Sequence, residues 1–243
     1  MHTRNVVLIL ISLIGLGAGP IRAQEPKIDS ATIARANKPI LRKGDLLAVL
    51  GTTALGMALD QSLRNRIHDS TINFGRAASD VGNAIGSGYV YPTLLALAVG
   101  GKVLHSQGLY GVSSRALKSS LLAGAGGMAL KVLIGRERPT ISPDNPFTFH
   151  PFSFKDNSFP SGHTTVAFAL ATSFAREIEG QWDDVAFFSL ATLTAYARMH
   201  DDRHWFSDVV FGAGIGILSA RFVHRREAKI LVGRGVLGAS LSF

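Results

Sequence analysis

Six apolar segments rich in glycine and alanine recur along the chain, at roughly 45–59, 83–104, 116–134, 163–178, 185–199 and 208–224. None of them alternates polar and apolar residues over a sustained stretch, and their lengths suit helices better than strands. Gly126-Gly127 and the run "GAGIG" at 212–216 lower intrinsic helicity but allow helices to pack closely. The sequence therefore predicts an all-α fold, a helical bundle of about six core helices.

The lengths of these segments bear on whether the bundle crosses a membrane. Only 83–104 reaches the roughly 20 residues that a span needs, whereas 45–59, 163–178 and 185–199 are closer to buried core helices. The turn "REIEGQWDD" at 176–184 is acidic and "RFVHRREAK" at 221–229 is basic, so the basic end is expected to face the cytoplasm if the chain spans. We expect an exported bundle that touches or enters the membrane, and soluble, peripheral and integral forms stay open.

The two ends of the chain differ from the bundle. Residues 1–23 resemble a secretory signal, with an apolar stretch from Val6 to Ala18 and cleavage expected after Ala23; an uncleaved anchor is the alternative. Residues 24–43 form a polar N-terminal arm, residues 44–229 the predicted helical domain, and residues 230–243 a tail whose alternation suggests a short strand or frayed end.

Composition narrows the class of partner. The chain has no cysteine, so disulfides and cysteine-bound metals are excluded. Its formal net charge of +8 suits anionic substrates or an anionic membrane surface. No basic run is interleaved with aromatic residues, so nucleic acid is not an expected partner.

The stretch "NSFPSGHTT" at 157–165 marks the start of a helix that can bind an anion. Four prolines keep the preceding connection, 135–159, out of regular helix. A helix N-terminus offers unpaired N–H groups and a positive dipole end to a phosphate. Ser161 can cap the helix and donate its hydroxyl, Gly162 leaves room for close approach, and His163 can protonate a leaving oxygen.

Two further segments carry charge and imidazole groups. Lys131 and Arg138 are seven residues apart, so they can lie on one face near a helix end. Asp208 follows His204 by four, so on a helix its carboxylate can fix the imidazole tautomer and leave the other nitrogen as a nucleophile. Arg198 adds a planar cation suited to phosphate oxygens.

Together the three segments, Lys131-x6-Arg138-Pro139, Pro160-Ser161-Gly162-His163 and Arg198-x5-His204-x3-Asp208, resemble the signature of the type 2 phosphatidic acid phosphatase (PAP2)/haloperoxidase superfamily. One departure is Ala197, where the third motif usually has serine. The resemblance implies that His204 attacks phosphorus to form a phosphohistidine, His163 protonates the leaving group and Asp208 orients His204. It also implies that Lys131, Arg138, Arg198, Ser161 and Gly162 hold the phosphate oxygens.

The expected activity is a phosphatase acting outside the cytoplasm on a phosphate monoester or diphosphate, with a lipid phosphate as the favoured substrate. Three cations and a helix N-terminus can supply the charge stabilisation without a metal or cofactor. Asp201 and Asp202 are not expected to form a metal site, because adjacent helical positions diverge by about 100°. The alternatives are a soluble periplasmic acid phosphatase, a vanadate haloperoxidase and a non-catalytic phosphate-binding membrane protein.

Overall fold

The computed structural model describes residues 41–69, 76–155, 157–178 and 182–240. The predicted signal at 1–23 and nearly all of the polar arm at 24–43 lie outside these residues. The described part holds seven helices, α1 Lys43–Asp69, α2 Arg76–Ile85, α3 Val90–Val103, α4 Gln107–Ile134, α5 Gly162–Phe174, α6 Asp183–His200 and α7 Phe206–Ser240. The predicted all-α bundle is confirmed.

Helix α5 occupies the centre of the bundle and packs against α4, α6 and α7, while α1 packs on α7, α3 on α4 and α2 on α6. Its apolar residues, with Val166, Leu170 and Phe174 among them, are buried in one cluster with Val90 and Leu94 of α3. The short side chains of α5 and α7 allow close contact: a side chain at Gly212 or Gly216 of α7 would overlap the backbone of α5. The packing role predicted for "GAGIG" is thus confirmed. Gly126 and Gly127, in contrast, have no such close neighbour.

The described part contains three helices long and apolar enough to cross a membrane, Lys43–Ile67, Gln107–Ile134 and Phe206–Ala228. The bent pair Ser79–Ile85 and Val90–Val103 brings this to four if the pair counts as one span. The prediction that only 83–104 is long enough was therefore wrong. Charged residues at the ends of the apolar runs, such as Asp60, lie inside continuous helices, whereas the segment 83–104 is broken after Ile85 and bent by 58°. The bundle thus has the helices of a membrane protein.

Helix α4 ends at a glycine that the local geometry requires. Gly135 has a φ of 61°, and a side chain there would overlap the carbonyl of His150. A residue with a Cβ rarely adopts this left-handed conformation. From Gly135 the chain enters the predicted non-helical connection, which returns beside α4 before α5 begins.

The last helix differs from the prediction for the C-terminal end. Helix α7 continues to Ser240, through most of the stretch 230–243 where a strand-like or frayed tail was expected. Extending an existing helix needs no new nucleus, and leucine and alanine favour helix, so a short alternation does not override it.

Candidate active site

Lys131 joins the first two predicted motifs. It lies in the last turn of α4, and its Nζ donates to the carbonyl oxygens of Asn157 and Ser158, at 2.8 and 3.2 Å. These two carbonyls come just before the turn into α5. The ammonium group is therefore held at the N-terminal end of that helix, next to the Pro-Ser-Gly-His segment.

Two arginines of the predicted site each have an N–H group without a hydrogen-bond acceptor in the part of the chain that the structure describes. The Nε atoms of Arg138 and Arg198 are buried and have no hydrogen-bond partner among the described residues. Arg198, in the last turn of α6, is fixed by a 2.7 Å bond from Nη1 to Oδ1 of Asn83 in α2. Its pKa is lowered to about 10 by burial, and by Arg203 and Arg138, against the raising effect of Asp201, so it stays charged at neutral pH. A buried guanidinium N–H without an acceptor is costly unless an anion binds it.

The N-terminus of α5 is open toward this charge. Ser161 is the N-cap residue, but its hydroxyl bonds the hydroxyl of Thr164, at 2.9 Å, and makes no side-chain cap bond. The predicted side-chain cap was therefore wrong, because a neighbouring hydroxyl competes for the serine oxygen. A side chain at Gly162 would meet no protein atom within 4 Å. The glycine therefore faces open space into which an anion can enter.

His163 lies in the first turn of α5, surrounded by the predicted cations. Its pKa is lowered to about 3, first by burial and then by electrostatic interaction with Arg198, His204, Lys131 and Arg138. The imidazole is thus neutral at neutral pH. These four neighbours come from the first and third motifs and His163 from the second, so the structure brings the three sequence segments to one place.

His204 and Asp208 meet across one turn at the start of α7. Nδ1 of His204 lies 3.5 Å from Oδ2 of Asp208, long for a hydrogen bond, and Nδ1 has no closer acceptor among the described residues. The same Oδ2 accepts the backbone N–H of Trp205 at 2.9 Å. Burial lowers the pKa of His204 to about 4 although Asp208 acts to raise it, so the ring is neutral and can act as a nucleophile.

Behind this pair lies a buried ion array that the sequence reasoning missed. The guanidinium of Arg136 is fully buried and donates from Nη1 to Asp208 Oδ1 at 2.7 Å and to the hydroxyl of Ser207 at 2.7 Å. Its Nη2 donates to Asp60 Oδ2 at 2.6 Å, and its Nε to the carbonyl of Pro146 at 2.8 Å. Asp60 of α1 is thereby tied to the carboxylate that faces His204.

One feature of the sequence could have indicated that this buried ion array exists. Asp60 follows directly on an apolar helical run, and a carboxylate inside a span is rare unless it has a partner. Asn83 carried no comparable signal, since its bond to Arg198 joins residues 115 positions apart.

The described residues contain no group of three or more histidine or acidic side chains placed to hold a metal ion. The adjacent carboxylates Asp201 and Asp202 are each occupied by other side chains. Asp202 receives Nε and Nη2 of Arg64, both at 3.0 Å, and Asp201 receives Nδ2 of Asn83 at 3.0 Å. Asn83 therefore links Asp201 to Arg198.

With this geometry in view, the sequence profile of the PAP2 superfamily matches residues 115–230, a range that contains every predicted site residue. This part of the chain, just under half of its length, is therefore similar to the PAP2 superfamily. Among solved structures, Aquifex aeolicus LpxE has a TM-score of 0.53 and 24% identity, over 68% of this chain and 94% of that one. A transmembrane PAP2 type phosphatidylglycerolphosphate phosphatase from Bacillus subtilis has a TM-score of 0.53 and 15% identity, over 76% and 96%. At these identities both show a shared fold.

A second comparison gives a local sequence match. Residues of this chain are 48% identical over 64 positions to the lipid A 1-phosphatase of Porphyromonas gingivalis. The match covers 26% of this chain and 14% of that protein. Against the PAP2 pattern, Ala197 remains the one departure in the third motif, and it is buried where α2 and α6 pack closely, at Gly82.

Proposed function

We propose that this protein is a metal-independent phosphatase that hydrolyses a phosphate monoester or diphosphate of a lipid through a phosphohistidine intermediate. The observation that carries the proposal is the pair of buried, unpartnered guanidinium donors of Arg138 and Arg198, both of which act electrostatically on His163 in the first turn of α5. Phosphoryl transfer needs mainly positioning and charge stabilisation, and these groups supply both.

The proposed first step forms a bond from His204 to phosphorus. Since Nδ1 of His204 faces Asp208, Nε2 is the nitrogen available to attack phosphorus. The bond from phosphorus to the leaving oxygen breaks, and His163 gives that oxygen a proton. In the second step water attacks phosphorus, His163 takes up a proton from that water, and the P–N bond breaks to release phosphate and restore His204.

With a pKa of about 3, His163 can protonate the leaving oxygen only if substrate binding raises that pKa. Burial and the three cations Arg198, Lys131 and Arg138 hold the imidazole neutral. A bound phosphate dianion offsets those positive charges and stabilises the protonated ring. Substrate binding is therefore the event that loads His163 with the proton for the leaving group.

A lipid substrate is supported by the position of the site in the bundle. We call the proposed phosphate-binding residues, Lys131, Arg138, Ser161, Gly162 and Arg198, the phosphate cradle. Lys131 lies in the last turn of one candidate span and Asp208 in the first turn of another, so the phosphate cradle lies where these spans end. Lipid headgroups lie at this level of a bilayer. The names of the relatives, a lipid A 1-phosphatase and a phosphatidylglycerolphosphate phosphatase, point to the same substrate class.

The charge of the bundle supports an active site that faces away from the cytoplasm. Arg221, Arg225 and Arg226 lie near the other end of the candidate span Phe206–Ala228, and Arg42 and Lys43 lie at the start of α1. From Asp208 to Arg225 α7 rises about 25 Å, close to the thickness of a hydrocarbon core. Basic residues favour the cytoplasmic side, which leaves the phosphate cradle on the outer side.

The experiment is phosphate release by detergent-purified protein in EDTA, with phosphatidate, phosphatidylglycerol phosphate, undecaprenyl diphosphate, lipid A and a soluble phosphomonoester as substrates. We expect turnover of one or more lipid phosphates, an acid-labile, base-stable phosphoenzyme, and loss of both in His204→Ala. His105→Ala, an exposed histidine at the other end of the bundle, is the matched control. Near-normal turnover in His204→Ala would refute the mechanism, and a preference for the soluble ester would refute the substrate class.

A further inference from the structure

The connection between α4 and α5 exposes an unusual number of aromatic side chains. We call residues 147–154 the aromatic loop, since it carries phenylalanine at four of its eight positions, Phe147, Phe149, Phe152 and Phe154. Phe149 lies against the guanidinium of Arg136, 5.8 Å from its ring centroid. The other three are 57%, 72% and 86% exposed. Adjacent exposed apolar side chains on one surface indicate a binding surface.

The backbone at Phe152 holds one of these rings outward. Phe152 has a φ of 64°, a left-handed conformation that bulky residues rarely adopt. It is fixed there by two backbone bonds: the N–H of Phe152 donates to the carbonyl of Val132 at 2.8 Å, and that of His150 to Gly135 at 2.7 Å. Local backbone strain that the surroundings maintain is found preferentially at functional positions.

The same bonds fix the depth of the aromatic loop. Val132 belongs to the last turn of the candidate span Gln107–Ile134, so Phe152 lies level with the end of that span. Lys131, which points into the phosphate cradle, is its neighbour in that turn. On the same helix Met128 and Leu133 are exposed apolar residues, as expected of a surface that faces lipid.

We propose that the aromatic loop inserts Phe152 and Phe154 into the lipid–water interface of the leaflet that faces the active site. The occupant is the bilayer because Phe152 is bonded to the last turn of a candidate span that itself exposes the apolar residues Met128 and Leu133. Lys155, exposed next to Phe154, can reach lipid phosphates as basic side chains do at this boundary. The inserted loop would hold the phosphate cradle at headgroup level.

A fluorescence measurement tests the insertion without relying on catalysis. Because the chain has no cysteine, Phe154→Cys and Asp144→Cys each provide one site for an environment-sensitive probe. Asp144 is an exposed position of the same connection, outside the aromatic loop. The full chain is reconstituted into vesicles of phosphatidylethanolamine and phosphatidylglycerol that contain lipid spin-labelled near the headgroup.

We expect the probe at 154 to be quenched at least about threefold more than the probe at 144, since only the former lies at quencher depth. Equal, weak quenching at both positions would overturn the proposal and leave the aromatic loop as a surface for a protein partner. Quenching is read even from an inactive protein, so this result is independent of the proposed phosphatase activity.

A double variant gives a second, functional readout. Phe152→Ser with Phe154→Ser removes the two exposed rings while leaving the cradle residues in place. We expect KM for a lipid phosphate in vesicles to rise about tenfold, because two large apolar groups no longer bind lipid, with kcat/KM for a soluble ester unchanged. An unchanged KM in vesicles, or an equal loss on both substrates, would contradict an interfacial role.

Discussion

Replacing Arg136 with lysine tests whether the carboxylate behind His204 must be held rigidly. The arginine contacts Asp60 and Asp208 with different nitrogens, Nη2 and Nη1, and both carboxylates are fully buried. A lysine keeps the positive charge but donates from a single atom, so it cannot reproduce both bonds with the same geometry. The substitution therefore removes positioning while preserving net charge.

The size of the effect follows from the bonds that are lost. A hydrogen bond to a charged group contributes about 1.5–3 kcal/mol, so losing one of the two carboxylate contacts should lower the free energy of unfolding by about 2 kcal/mol. If Asp208 consequently stops orienting His204, the same loss in the transition state would lower kcat by up to about 30-fold. Arg136 is bonded away from the phosphate cradle, so KM and inhibition by vanadate should change little.

The assay is steady-state phosphate release in detergent, with thermal unfolding of the same sample. Arg115→Lys is the matched control, because Arg115 is also an ion-paired arginine but bonds Glu177 at the other end of the bundle. We expect the control to lose some thermal stability and no kcat. A folded Arg136→Lys protein with kcat within about twofold of the original would refute a positioning role for the array.

Three further predictions address other parts of the site. Gly162→Ala should leave the melting temperature unchanged, since no protein atom lies within 4 Å of the new methyl, but weaken vanadate inhibition about tenfold or more by blocking the helix N-terminus. Gly216→Ala should lower the free energy of unfolding by about 1–3 kcal/mol, because the methyl overlaps the Thr165 carbonyl where α5 and α7 pack. Vanadate binding near neutral pH should take up a proton, because the bound anion raises the pKa of His163 from about 3. Affinity should therefore increase as the pH falls through the pKa of the complex.

Each of these has its own control. Gly44→Ala, in the first turn of α1 with open space around it, should change neither stability nor inhibition. Thermal unfolding that is unaltered in Gly216→Ala would show that the contact of α5 and α7 is looser than described. Calorimetry in two buffers of different ionisation enthalpy measures the proton uptake, and uptake that persists in His163→Gln would assign the proton to another group.

The helices could be predicted because their apolar runs are long and lack alternation, but their ends could not. In the sequence, Asp60 and Arg64 resemble the polar end of an apolar segment. Both nevertheless lie within α1, because each forms an ion pair with a residue far along the chain, Asp60 with Arg136 and Arg64 with Asp202. At 83–104 the prediction joined two helices into one segment, because "GSG" at 86–88 looks like part of the apolar run. Helix termination there reflects tertiary packing, since Gly86 lies directly against His163.

The residues of the candidate site were predictable because each motif is short and carries its chemistry locally. Lys131, Arg138, Arg198 and the two histidines all lie around the start of α5, as their types and spacing suggested. The supporting residues were not predictable in this way. Asp60, Arg136 and Asn83 act through partners far along the chain, and no local pattern records such pairings.

The break between α2 and α3 has a consequence for how the site is hydrated. Between Ile85 and Val90 the backbone leaves the helical path, and a side chain at Gly86 would collide with the backbone of His163. Non-helical backbone at membrane depth persists only where protein or water satisfies its polar groups. The break therefore places polar backbone groups beside His163, where, under the proposed mechanism, a water molecule can be held for the second step.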